Sequence, residues 1–87
     1  MGKKVSYTSF DYKPVEIVPV IATFDTEGHI TPLYVRIDGE SYKISSSWAS
    51  YVFSNVVNYK CKIIDGNYEK PLSLSYHREE GMWTIPK

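Results

Sequence analysis

Apolar and polar residues alternate with period two over much of the chain, most sharply from Leu33 to Ser45, LYVRIDGESYKIS. Two alternating runs there are joined by Asp38-Gly39. A two-residue type I′ turn needs φ > 0 at both central positions, which Gly adopts freely, so Asp-Gly between such runs predicts a β-hairpin. Closing it on Ile37 and Glu40 sets Val35 opposite Tyr42 and Leu33 opposite Ile44 on an apolar face. Tyr34 then faces Lys43, and Arg36 faces Ser41, on a polar one. A one-residue slip would mix the two sets, so turn chemistry and hydrophobic pattern support the same register.

The run from Glu16 to Phe24, EIVPVIATF, is β-branched and too short for a buried helix, which predicts a strand. Pro19 inside it cannot donate to a ladder and implies an edge, a bulge, or a bend where a barrel strand changes partner. Asp25-Thr26-Glu27-Gly28 reads as a turn. Pairing Phe24 with His29 across it would bring Val20 opposite Leu33 and Val18 opposite Val35. Pro32 again indicates an edge or a bulge. Further on, Tyr59, Cys61 and Ile63 alternate with Lys60 and Lys62, and Gly66-Asn67 interrupts the pattern. Leu72, Leu74 and Tyr76 alternate with serines, and Arg78-Glu79-Glu80-Gly81 turns the chain into a last strand, Met82 to Ile85. With His77 facing Met82, Tyr76 meets Trp83 and Leu74 meets Ile85.

Residues 45–58, SSSWASYVFSNVVN, break the alternation. Trp48, Val52, Phe53 and Val56 follow helical spacing and a Ser at 46 or 47 could cap, yet Ser, Val and Asn are poor helix formers. Two readings stay open: a short helical turn around 47–56 plugging one end of a barrel, or an irregular crossover anchored by Trp48. Under either reading Trp48 and Phe53 belong to the core. The whole pattern predicts an all-β domain over residues 15–87, a small five- to six-stranded antiparallel barrel of SH3-like or OB-like type. Residues 1–14 form an N-terminal arm carrying Tyr7, Phe10 and Tyr12, either frayed or laid on the barrel or a partner.

Eighty-seven residues hold one small core, and 43% apolar content with eight Tyr, three Phe and two Trp is that of a folded β domain. Ten Lys plus Arg balance ten Asp plus Glu, so no net field draws the protein to nucleic acid or anionic membrane, and any such contact needs a local patch. Cys61 is the single cysteine and has no disulfide partner within the chain. With no apolar run of signal-peptide type, a cytoplasmic protein without membrane association is the expectation. Met1-Gly2-Lys3-Lys4-Val5-Ser6 matches a loose acylation pattern, against which a simple soluble tail is the plainer reading.

Candidate chemistry is sparse. Cys61, His29 and His77 lie far apart, without the paired spacing of a zinc site, so neither metal nor cofactor is expected. A Cys61–His77 nucleophile pair conflicts with parity, since Cys61 falls among apolar positions and His77 among polar ones. The carboxylates Asp25, Glu27, Asp38, Glu40, Asp65, Glu69, Glu79 and Glu80 sit at turns. No acid is paired with a base, and no catalytic residue is assigned. One surface combines aromatic and basic side chains on outward strand positions: Tyr34, Arg36, Lys43, Lys60 and Lys62. Small barrels use that combination to stack bases and neutralise phosphates, whereas an ordinary solvated strand face carries it too.

The segments FDTEGHITPLYVRIDGESYKI and YKCKI, a Leu-rich strand and a terminal MWTI resemble small bacterial β domains, especially of Firmicutes. Some of these lie beside or are fused to Y-family translesion DNA polymerases. The resemblance spans about residues 20–85 and implies a compact barrel without an established activity. The chain departs from the family pattern at 46–57, where SSWASYVFSNVV replaces a basic, Gly-containing connection. The expected function is a non-enzymatic binding module associated with nucleic acid. The alternative is a domain that binds a protein partner or forms a homodimer through an open edge near Pro19 or Pro32.

Overall fold

The computed structural model describes residues 14–52 and 55–87, so the N-terminal arm up to residue 13, with its three aromatics, and Phe53 lie outside the described residues. Its strands are β1 (Val15–Val18), β2 (Val20–Phe24), β3 (Ile30–Ile37), β4 (Glu40–Val52), β5 (Val56–Asp65), β6 (Tyr68–His77) and β7 (Met82–Pro86). They form one antiparallel sheet in the order β1-β7-β6-β5-β4-β3-β2. The two end strands of this sheet are consecutive in the chain and separated only by Pro19, so the sheet must curl until its ends meet there. The result is a half-barrel. Seven strands stand where five or six were expected because Pro19 divides the 15–24 run: β1 pairs with β7, and β2 with β3. This is the change of partner that an in-strand proline implies.

The central hairpin has the expected register, with Ile37, Arg36, Val35 and Tyr34 opposite Glu40, Ser41, Tyr42 and Lys43. Asp38 (φ 52°) and Gly39 (φ 81°) both occupy the left-handed region that a type I′ turn demands. The hairpin of β6 and β7 also pairs as expected, His77 with Met82 and Tyr76 with Trp83.

The β2–β3 register departs from expectation. Phe24 faces Ile30 rather than His29, and Val20 faces Val35 rather than Leu33. Val18 lies opposite Trp83 of β7. The turn holds one more residue than expected because Asp25 closes it, its Oδ1 accepting from the Glu27 and His29 amides at 2.9 and 2.8 Å. A bulge then leaves Leu33 without a partner on β2, since Ile21 pairs with Tyr34 and Ala22 with Pro32. Pro32 is therefore buried where Leu33 was expected to be.

Residues 47–52 belong to β4 and contain no helical turn. Two bulges, between Ile44 and Ser46 and between Ala49 and Tyr51, each insert one residue and flip the parity of the strand beyond it. With both flips the inward positions run Ile44, Ser47, Ala49 and Val52, so no strict period of two survives in this stretch. The inserted residues are serines that compensate locally: the Ser45 hydroxyl lies 3.2 Å from the Lys62 carbonyl, and the Ser50 hydroxyl donates to the Asn58 carbonyl at 3.2 Å.

The concave face buries Val18, Val35, Ile44, Val57, Tyr59, Cys61, Ile63, Leu74, Trp83 and Ile85. Trp83 is its centre, with ring centroids 4.7 Å from Tyr76 and 5.7 Å from Tyr59. Tyr76 in turn meets Phe24 of β2 edge-on at 6.2 Å, which ties the short side of the curl to the long one. Each fully buried Leu- or Val-sized side chain in this set contributes roughly 1.5–3 kcal/mol.

Candidate nucleic-acid interface

The outward positions of β3, β4 and β5 carry all five residues expected at a contact face. Tyr34 and Lys43 form a cross-strand pair, and Arg36 lies diagonal to Lys43 on the side nearer the turn. On β5, Lys60 pairs with Trp48 and Lys62 with Ser46. The bulge at Ser45 separates these two groups along β4, so the structure forms two basic-aromatic clusters where one continuous patch was expected. The Arg36 Nε donates weakly to the Gly39 carbonyl at 3.4 Å, folding the guanidinium back over its own turn.

Trp48 was expected in the core and stands instead on the outer face, 51% exposed. The reason is the first bulge. Ile44 points inward, Ser45 is the inserted residue, and Ser47 and Ala49 then take the inward positions opposite Cys61 and Tyr59. Trp48 is left beside Lys60. The parity of β5 offered a signal: a strand pairing with YKCKI must set some residue against Lys60, on the solvent side.

Around Trp48 the outer face forms a shallow groove of about 210 Å³, with Lys60, Lys62, Pro71 and Ser73 among its lining residues. The indole and the proline ring offer apolar surface, the two ammonium groups charge, and Ser73 a hydroxyl. Among the described residues, no carboxylate lies within ion-pair distance of Lys43, Lys60 or Lys62. A smaller hollow of about 110 Å³ lies by the other cluster, between Pro19, Ile21, Tyr34, Arg36 and Ser41. A stacking surface flanked by unneutralised cations is equipped to hold a planar base and its phosphates.

Other polar groups have structural occupations. Asp25, Glu27 and His29 gather at the β2–β3 turn, with His29 Nδ1 3.0 Å from Asp25 Oδ2 and 3.8 Å from Glu27 Oε1. All three are exposed. The His29 backbone amide, more than any other group, holds the Asp25 carboxyl below the usual carboxylate range. His77 Nε2 lies 2.9 Å from the hydroxyl of Thr84, which is itself only 3% exposed and closed to a substrate. Cys61 is a free thiol at 3% exposure, and burial pushes its pKa up to about 11. It lies on the inward face of β5, as its place between Tyr59 and Ile63 implied. Among the described residues, no helix is long and apolar enough to cross a membrane.

Comparison with protein-family models, with curated proteins and with solved structures yields no match to this chain.

Proposed function

We propose that the protein is a non-enzymatic binding module whose outer β4–β5 surface contacts single-stranded nucleic acid. The observation that carries this reading is the Trp48–Lys60 pair, with Lys62 next along β5, in a groove open to solvent. Base stacking on an exposed aromatic contributes about 1–3 kcal/mol per base and tolerates any sequence, because every base has a π face. Lys60 and Lys62 would neutralise flanking phosphates, and Tyr34, Arg36 and Lys43 would extend the track towards the central hairpin. With no net charge on the chain, affinity from this patch is modest and falls steeply with salt.

The test is a heteronuclear NMR titration with a mixed-sequence single-stranded DNA oligomer at low and then higher salt. Salt-sensitive shifts at the Trp48 indole and at Lys60 and Lys62 are expected, with smaller ones at Tyr34, Arg36 and Lys43. Absence of any shift at low ionic strength overturns the reading.

A further inference from the structure

The free edge of β2 has a directional demand that the outer groove lacks. Among the described residues β2 has a partner on one side only, β3. The Arg36 amide donates to the Pro19 carbonyl at 3.0 Å, which makes Val20–Val35 a pair without mutual hydrogen bonds. At the other end, the Asp25 amide donates to the His29 carbonyl at 3.0 Å. Both observations fix the same alternation along this strand, whose bulge lies on β3. Ile21 and Thr23 spend their backbone groups on β3, while Val20, Ala22 and Phe24 turn theirs to the open side. Ala22 faces Pro32, so β3 asks no hydrogen bond of it.

We infer that the β2 edge is a homodimer interface, in which two copies pair antiparallel about a two-fold axis at Ala22. That register brings Ala22 opposite Ala22 and Val20 opposite Phe24 twice, and these are the residues whose amides and carbonyls face out. About six hydrogen bonds close, and no outward group of the strand is left over. Shifting the axis to either side loses a pair. The side chains agree with the axis. VIATF contains no charge, and none of the devices that usually block an edge, such as an in-strand Lys or Pro, lies between Val20 and Phe24. Asp25, the first charge beyond the strand, would come to lie across from Pro19 of the other copy, so like charges do not meet at the ends of the pairing. Ile21 (64% exposed) and Phe24 (61%) would lose water-exposed apolar surface. An isologous contact of this kind closes on itself at two copies.

Sedimentation velocity on the full chain over a range of concentrations, paired with amide exchange at Ala22, tests this. Expected are a monomer–dimer equilibrium and Ala22 protection that rises with concentration. Ala22→Pro removes an outward amide without touching the β2–β3 ladder and should weaken association at least tenfold while leaving the β3–β4 hairpin shifts intact. Thr23→Lys, which adds charge on the outer face of the edge, should do the same. A protein that stays monomeric at millimolar concentration overturns the inference. So does a dimer indifferent to both variants. Concentration-independent protection of Ala22 also overturns it, and assigns the edge to another part of the same chain.

Discussion

Trp48 stands directly across the ladder from Lys60, on the face of the sheet opposite the core, while Trp83 lies inside it at 7% exposure. The two tryptophans should therefore separate stability from binding. Trp83→Ala empties the middle of the aromatic cluster and should cost about 3–5 kcal/mol of unfolding free energy. Trp48→Ala removes a half-exposed side chain from outside the core and should cost distinctly less, about 1 kcal/mol or less. It should weaken single-stranded DNA binding by the stacking contribution of about 1–3 kcal/mol and leave the salt dependence from Lys60 and Lys62 in place. Urea unfolding of both variants, with acrylamide quenching of the remaining tryptophan, reads this out. A Trp48→Ala protein as unstable as the Trp83 variant would mean that the indole is structural after all.

The Asp38-Gly39 turn gives a second expectation. Gly39 has φ 81°, and a Cβ built on it meets no atom within 4 Å. Replacing it with Ala therefore carries only the backbone penalty of the left-handed region, about 1–2 kcal/mol, with no steric addition. Because the turn sets the register of Val35 against Tyr42, the loss should appear as faster amide exchange in β3 and β4. Unchanged exchange there would show that the long β4–β5 ladder holds the register without help from the turn.

Leu74 has no exposed surface and sits on β6 opposite Tyr59. Truncation to Ala should cost about 2–5 kcal/mol, the range for a buried Leu whose cavity collapses only in part. Leu72, two residues earlier on the same face, is only partly buried. Leu72→Ala should cost distinctly less, and equal losses in denaturant titrations would contradict the placement of the core around Leu74 and Trp83.

How far the residues themselves disclosed this structure depends on where parity was interrupted. The β3–β4 and β6–β7 hairpins could be read because each has a turn signal beside an unbroken alternation, so one decision fixes the whole register. Pro19 announced a change of partner by its missing amide. Bulges leave no such mark: Ser45 and Ser50 look like any exposed serine, yet each moves the next residues to the other face. This is why the stretch holding Trp48 looks helical in sequence, and why its spacing points the indole to the interior. The β2–β3 turn failed for a related reason, since the Asp25 side chain, rather than the spacing of apolar residues, decides where it closes. The basic residues of the candidate interface were found by parity alone. The aromatic at its centre was not.

Cys61 supplies the last expectation, and here the sign can be worked through. Burial among Tyr59, Ile63 and their neighbours raises the thiol pKa from an ordinary 9.0 to about 11 in the folded protein. Below pH 9 the thiol is protonated in both folded and unfolded chains, and native stability is unaffected by it. Between about pH 9 and 11 the unfolded chain releases this proton and the folded one does not, so stability falls as pH rises through that window. A shift of this size corresponds to roughly 1–3 kcal/mol at its upper end. Tyr42, Tyr59 and Lys70 also titrate high, so the contribution is isolated by comparison with Cys61→Ala, which should flatten part of the alkaline slope. The same burial predicts that a thiol reagent at neutral pH labels the native protein no faster than it unfolds. Rapid labelling of the folded protein at pH 7 would place Cys61 within reach of solvent, and β5 would have to present its other face to the core.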